Sequence, residues 1–150
     1  MEPIHILLVE DNEGDILLTT EALENTELST KLSVVKDGKQ AMDFLTKADG
    51  YLNATQPDML LLDINLPKRN GHEVLKFIKE NEVLKHIPVI MLTTSSSPSD
   101  INQAYKNYVN CFITKPIEAH SFLNMIATIE NFWVSIVKLP AKQIYHDRSK

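Results

Sequence analysis

The sequence predicts a single α/β domain with a parallel sheet, in which strands and helices alternate five times. Short apolar runs are separated by segments whose apolar residues recur at helical spacing. One of these runs, Met59–Leu62, is apolar at every position, as expected for a strand buried on both faces of a parallel sheet. Regular alternation of this kind implies right-handed crossovers with helices on both faces.

Length and composition fit one globular domain and exclude several classes of protein. The chain has 150 residues, of which 43% are hydrophobic, enough for one sizeable core. The net charge of -5 argues against a nucleic-acid surface. There is one cysteine, Cys111, and no apolar run approaches the ~20 residues of a membrane span. We therefore expect a cytoplasmic protein that contacts neither nucleic acid nor membrane.

The first strand ends in acidic residues and leads into a helix. Ile4–Val9 is a mostly apolar run followed by Glu10–Asp11. Asn12 is suited to cap the helix, and Glu13 and Asp15 suit the positive end of its dipole. The residues that recur at helical spacing and predict its inner face are Ile16, Leu17, Thr20 and Leu23.

The second strand and helix are followed by a long irregular segment. Lys31–Val35 reads as a short strand, and the pair Asp37–Gly38 turns the chain into a helix. The segment from Thr46 to Pro57 is mostly polar and loses periodicity, so we predict a surface loop there.

The third and fourth strands both end in residues that can bind an anion or a metal. Met59–Leu62 ends at Asp63, and Pro88–Leu92 ends at Thr93. We expect Ser99 or Asp100 to cap the helix after the fourth strand. The residues spaced as the inner face of that helix are Ile101, Ala104, Tyr105 and Tyr108.

The last strand and helix complete the pattern. Cys111–Thr114 is the fifth predicted strand and is followed by Lys115. A long helix from about Ala119 to Lys138 has more apolar residues than one face can hold, so part of its surface is expected to contact a partner. The predicted domain covers residues 1–138, and 139–150 form a short tail.

The polar residues at the strand ends are predicted to form a chemical site. Because parallel strands end at the same edge of a sheet, Glu10, Asp11, Asp63, Thr93 and Lys115 are expected to lie together. The three carboxylates repel one another, and an all-oxygen set of this kind fits Mg²⁺. With an ammonium and a hydroxyl group beside it, Asp63 is equipped to attack a phosphoryl group.

With these residues in this order, the sequence resembles the receiver domains of two-component response regulators. The resemblance spans roughly Ile4 to Trp133. It implies a flavodoxin-like (βα)5 doubly wound parallel sheet with strand order 2-1-3-4-5. The residues on which it jointly depends are Glu10, Asp11, Asp37, Gly38, Asp63, Asn65, Pro67, Gly71, Thr93, Lys115 and Pro116.

The resemblance implies a Mg²⁺ site. Asp11 would bind the ion directly and Glu10 through water. Asp63 and the backbone carbonyl of Asn65 would complete the protein ligands.

The resemblance also implies how the phosphoryl group is held. Asp63 would be the phosphoacceptor, Thr93 would bond a phosphoryl oxygen, and Lys115 would pair with the group. Phe112 stands where the family has its switch aromatic residue.

Finer features resemble the stand-alone regulators paired with cyanobacterial phytochrome kinases. They are Leu66–Lys68, Leu92–Ser95, Asn110–Phe112 and the ending around Phe132–Trp133. The implied partner is a sensor histidine kinase, of the phytochrome type in this group. Output would be by protein contacts, including a homodimer through the C-terminal helix, and the protein would assist only its own phosphorylation and dephosphorylation.

A Mg²⁺-dependent aspartyl-phosphate phosphohydrolase is the alternative function. Such an enzyme needs a second acid two residues after the nucleophile to protonate the leaving group. That position holds Asn65, and the sequence has no cap segment to enclose a substrate. The signalling function is therefore favoured.

Overall fold

The computed structural model describes residues 3–26, 28–94, 97–122 and 124. Over these residues, strands and helices alternate along the chain. They are β1 (Ile4–Val9), α1 (Glu13–Glu24), β2 (Thr30–Val35), α2 (Gly38–Thr46), β3 (Met59–Asp63), α3 (Gly71–Glu80), β4 (Val89–Thr93), α4 (Pro98–Lys106) and β5 (Cys111–Thr114).

The strands form one parallel sheet of the predicted order, 2-1-3-4-5. Val9 of β1 lies beside Leu62 of β3, and Thr93 of β4 lies beside Thr114 of β5. The carboxyl ends of neighbouring strands are therefore level with one another. The doubly wound parallel sheet that the sequence predicts is confirmed, and its strand ends form one edge.

Both faces of the sheet are buried at its central strand. Leu60, Leu61 and Leu62 of β3 are consecutive and fully buried, although neighbouring side chains of a strand point to opposite faces. Burial of each such side chain contributes about 1.5–3 kcal/mol. The central strand is therefore rigidly held up to Asp63. The cluster on one face includes Leu7, Val9, Leu60, Leu62, Val74, Leu75, Ile78, Val89 and Met91.

Capping side chains define where the first three helices begin. Asn12 caps α1 by accepting a hydrogen bond from the N–H of Asp15 at 2.9 Å, as the sequence predicts. Asp37 caps α2 in the same way. Asn70 and Glu73 form a capping box at the start of α3.

The predicted cap of α4 is wrong. Ser97 is the N-cap, and its hydroxyl accepts from the N–H of Asp100 at 3.5 Å. Pro98 is the first helical residue because its fixed φ suits that position and its missing N–H would have no partner there. Neither Ser99 nor Asp100 is therefore the cap.

The predicted inner faces of α1 and α4 are only partly correct. Leu17 is exposed, and Tyr105 and Tyr108 of the α4 region are exposed as well. On a short helix, helical spacing is compatible with two overlapping sets of residues as the inner face. Packing against the sheet decides which residues are buried. The buried residues of these helices are Thr19, Ala22, Leu23 and Ala104.

The predicted last helix falls mostly outside the described residues. Residues 119–122 and 124 are helical, and the N–H of Phe122 donates to the carbonyl of Glu118 at 2.9 Å. Trp133 and the tail 139–150 lie outside the described residues. Within the described part of the chain, no helix has the length and apolar character needed to cross a membrane.

Candidate functional site

Three carboxylates lie together at the ends of β1 and β3. Glu10, Asp11 and Asp63 each offer an oxygen atom, and these atoms lie within 4.8 Å of one another. Glu10 is 1% exposed and Asp63 is 5% exposed, whereas Asp11 faces solvent. The structure thus brings together the three acids that the sequence places at strand ends.

The ammonium group of Lys115 is the cation closest to this cluster among the contacts that the structure describes. Its Nζ lies 2.8 Å from Glu10 Oε1 and 3.2 Å from Asp63 Oδ1. It also lies 2.9 Å from Asp15 Oδ2, a residue of the first turn of α1. The Lys115 side chain is only 7% exposed, so these contacts are poorly screened by water.

These surroundings shift the pKa of both Asp63 and Lys115. Burial, together with the negative charge of Glu10, raises the pKa of Asp63 to about 6, although Lys115 opposes the shift. Burial lowers the pKa of the Lys115 ammonium, but hydrogen bonds to Glu10 and Asp15 outweigh it, and the net pKa is raised. Lys115 is therefore charged at neutral pH and offsets part of the negative charge of the cluster.

Gly71 allows α3 to begin directly against the end of β3. A Cβ atom at this position would lie 2.3 Å from the carbonyl oxygen of Asp63, so a larger residue would push the backbone away. The N–H of Gly71 donates to the carbonyl of Ile64 at 2.8 Å. The backbone that holds the Asp63 carboxylate is therefore fixed by close packing as well as by the sheet.

Asp37 and Gly38 support the loop that follows Asp63. A Cβ atom at Gly38 would lie 1.9 Å from the carbonyl oxygen of Arg69, and the N–H of Gly38 donates to Pro67. Asp37 also lies 3.7 Å from the Nζ of Lys68. The pair therefore acts on the loop and is not part of the carboxylate cluster.

Of the remaining predicted residues, Thr93 and Asn65 lie at or just beyond the same edge of the sheet, whereas Phe112 lies two residues before the end of β5. Thr93 is buried at the end of β4, and its carbonyl accepts from the N–H of Lys115 at 2.7 Å. Asn65 is exposed two residues after Asp63. Phe112 lies beside Met91 and is partly buried against the core.

Sequence reasoning missed Asp15 as a residue of the site. Its position just after the cap of α1 indicated only a favourable interaction with the helix dipole. The signal that was available is its place one turn beyond Asp11, which brings a helix residue back to the strand ends.

The carboxylate cluster has the chemistry of a site for a hard divalent cation. Glu10, Asp11 and Asp63 supply oxygen ligands only, and two of these side chains are buried. One ammonium cannot balance three carboxylates, so a further positive charge would relieve their repulsion. The residues present therefore fit Mg²⁺, with Asp11 on the solvent side where an ion can enter.

Comparison with known protein families gives one match that covers most of the chain. The model of the response regulator receiver domain matches residues 6–127. Response regulator Rcp1 of Synechocystis sp. is 43% identical over 139 residues, which cover 93% of this chain and 95% of the relative.

Solved structures with the same fold match over a similar length. The phosphorylated cyanobacterial phytochrome response regulator RcpA has 44% sequence identity and a TM-score of 0.77, with 93% of this chain and 100% of that chain covered. The Mn(2+)-bound form of Rcp1 has 43% identity and a TM-score of 0.75, with the same coverage.

Proposed function

This chain belongs to the response regulator receiver family, and from this membership we propose that it accepts a phosphoryl group from a sensor histidine kinase on Asp63 and signals through protein contacts. The observation that supports the proposal is the geometry around Asp63. Its carboxylate lies at the end of a buried strand, in contact with Lys115 and grouped with two further acids. A carboxylate held in this way is suited to act as a nucleophile toward a phosphoryl group.

In the proposed transfer, an oxygen of Asp63 forms a bond to the phosphorus of a phosphohistidine. The bond between phosphorus and the histidine nitrogen breaks, and its electron pair remains on the imidazole. Lys115, at 3.2 Å from Asp63 Oδ1, offsets the negative charge of the incoming phosphoryl oxygens. Thr93 would donate its hydroxyl hydrogen to one of these oxygens.

Mg²⁺ is the proposed cofactor of this transfer. Glu10, Asp11 and Asp63 are the side chains that would hold it. The backbone carbonyl of Asn65 is a further ligand implied by the family resemblance. When bound, the ion supplies positive charge to the phosphoryl oxygens. The Mn(2+)-bound form of the relative Rcp1 supports a divalent ion in a protein of this kind.

The proposed phosphoryl donor is a kinase of the phytochrome type. The support is the similarity to RcpA, a cyanobacterial phytochrome response regulator, over 93% of this chain. A cytoplasmic location is proposed with this partner. The protein would be a signalling component that assists only its own phosphorylation and dephosphorylation.

We also propose one receiver domain over 1–138, with homodimer formation through the last helix. The support is the surplus of apolar residues between Phe122 and Val137 in the sequence, most of which lie outside the described residues. Sedimentation of the wild type and of Trp133→Ala, each with and without a phosphoryl mimic, tests this. A wild type that stays monomeric at high micromolar concentration in both states would contradict it.

Transfer from purified kinases tests the proposed function directly. Wild type, Asp63→Asn and Asp49→Asn are incubated with Mg²⁺ and autophosphorylated phytochrome-type kinases, and intact-protein mass reports the adduct. Asp49 is an exposed residue that pairs with Lys39, so its variant has the same charge change outside the site. We expect the adduct in the wild type and in Asp49→Asn and its loss in Asp63→Asn, because an amide is not a nucleophile here. An undiminished adduct in Asp63→Asn would contradict the assignment.

A further inference from the structure

The three N–H donors of the Lys115 ammonium are matched by three carboxylates. Two of them, Glu10 and Asp63, belong to the group at the strand ends. The third, Asp15, comes from the first turn of α1, and its Oδ2 accepts from Nζ at 2.9 Å. Asp15 lies outside the group of acids that could hold a metal ion, so it acts on the site through Lys115.

The backbone of Asp15 is held at the start of α1. The N–H of Asp15 donates to Asn12 Oδ1 at 2.9 Å, which ties the residue to the start of the helix. The lysine stem is long and flexible, and each contact from a rigid element narrows the positions that its ammonium can take. Asp15 therefore holds Lys115 from the helix side, while Glu10 and Asp63 hold it from the sheet.

A phosphoryl group on Asp63 would add acceptors that also need Lys115. An ammonium has three donors, so a phosphoryl oxygen beyond the one that takes the place of Asp63 displaces Glu10 or Asp15. Asp15 is 29% exposed and Glu10 is 1% exposed. Water can replace the lysine at Asp15, whereas the buried Glu10 carboxylate would depend on the bound metal ion alone for its counter-charge. Asp15 is therefore the carboxylate that releases Lys115 at the lower cost.

We infer that Asp15 is a positioning residue that holds Lys115 in the unphosphorylated protein and competes with the phosphoryl group for its ammonium. The inference rests on the proposed function, because it takes Lys115 as the partner of the phosphoryl group on Asp63. Removal of the Asp15 carboxylate leaves Lys115 free to turn toward the phosphoryl group. The phosphorylated form then gains stability relative to the unphosphorylated form.

Equilibrium binding of beryllofluoride, a mimic of the phosphoryl group, tests this competition. The wild type and Asp15→Asn are titrated at saturating Mg²⁺, and the bound fraction is measured by fluorine NMR. Because Asp15 is 29% exposed and water takes up part of its interaction with Lys115, we expect Asp15→Asn to bind about two- to fivefold more tightly than the wild type. The helix cap is retained in the variant, since the cap uses the backbone N–H of residue 15.

Glu13→Gln is the matched control. Glu13 lies in the same first turn of α1, but its carboxylate pairs with Lys36. The control therefore has the same change in charge and the same effect on the helix dipole, without an effect on Lys115. We expect its affinity for beryllofluoride to equal that of the wild type.

The outcomes separate the inference from the proposed function. If Asp15→Asn binds no more tightly than Glu13→Gln, Asp15 is only a structural support and the inference fails. If the wild type does not bind beryllofluoride at all, the proposed function fails and the inference fails with it. Asp15→Ala, which also removes the side-chain acceptor, is the second variant and is expected to show the same increase in affinity for beryllofluoride. It decides the question if Asp15→Asn folds poorly by circular dichroism.

Discussion

The Asp63→Asn substitution is expected to stabilise the fold of the metal-free protein while it abolishes the proposed phosphorylation. The Asp63 carboxylate is 5% exposed and lies in the repulsive field of Glu10. An asparagine side chain has nearly the same shape and no charge. The variant therefore avoids placing a buried charge among other carboxylates when the chain folds.

The pKa of Asp63 gives the size of this effect. It rises from 3.8, the ordinary value, to about 6 in the folded protein, so the folded state binds a proton more tightly than the unfolded chain. The contribution of Asp63 to the stability of the wild type therefore falls as the pH rises from about 4 to about 6 and stays level above that range. The cost of ionised Asp63 is about 1.5 kcal/mol at pH ~5 and about 3 kcal/mol at pH ~7.5. The free energy of unfolding of Asp63→Asn is expected to exceed that of the wild type by these amounts.

Urea unfolding in the presence of EDTA measures the gain at the two pH values. Glu82→Gln is the control, because Glu82 is highly exposed and its removal gives the same change in net charge away from the site. We expect the control to match the wild type within about 0.5 kcal/mol. The reasoning would be refuted if Asp63→Asn were no more stable to urea than the wild type, or if its added stability were the same at both pH values. Added Mg²⁺ should then stabilise the wild type more than the variant, because the variant lacks one ligand.

Two further substitutions test the metal site and the packing around it. Asp11→Ala should weaken Mg²⁺ binding at least tenfold by calorimetric titration, because it removes an accessible carboxylate ligand. Glu13→Gln is the control and should leave Mg²⁺ binding unchanged. An unchanged Mg²⁺ affinity in Asp11→Ala would show that the ligand is misassigned. Gly71→Ala should lower the free energy of unfolding by about 1–3 kcal/mol, because its Cβ would lie 2.3 Å from the carbonyl oxygen of Asp63. Gly14→Ala is its control, because its Cβ would lie 3.2 Å from Asn12 Oδ1, a contact that a side-chain shift of a few tenths of an ångström relieves. Equal urea midpoints for the two variants would contradict the packing argument.

Local sequence pattern was sufficient to predict the sheet and the acids at its edge. A strand such as β3 that is buried on both faces is apolar along nearly all of its length, and a polar residue such as Asp63 marks its end. Asn12 was predicted as a cap because a cap depends only on the residues next to it. These features require no knowledge of distant parts of the chain.

The features that were missed depend on tertiary contacts. The contact of Asp15 with Lys115 joins residues 100 positions apart, and periodicity cannot show which carboxylate of α1 reaches the end of β5. The exposure of Leu17 depends on how α1 packs, and a helical stripe alone does not decide this. The sequence likewise could not show why glycine is needed at positions 38 and 71, because the reason is the close approach of backbone from elsewhere in the chain.

The acids and their counter-ion are attached to parts of the sheet that differ in stability. Asp63 ends a strand that is buried at every position, whereas Lys115 follows β5, none of whose residues is fully buried and which pairs with β4 at one end of the sheet order. Edge strands of this kind open locally at a smaller free energy than central strands. A brief opening of β5 would withdraw the positive charge while the negative charges remained in place. The electrostatic balance of the site can therefore be altered from one edge of the molecule, without unfolding the centre.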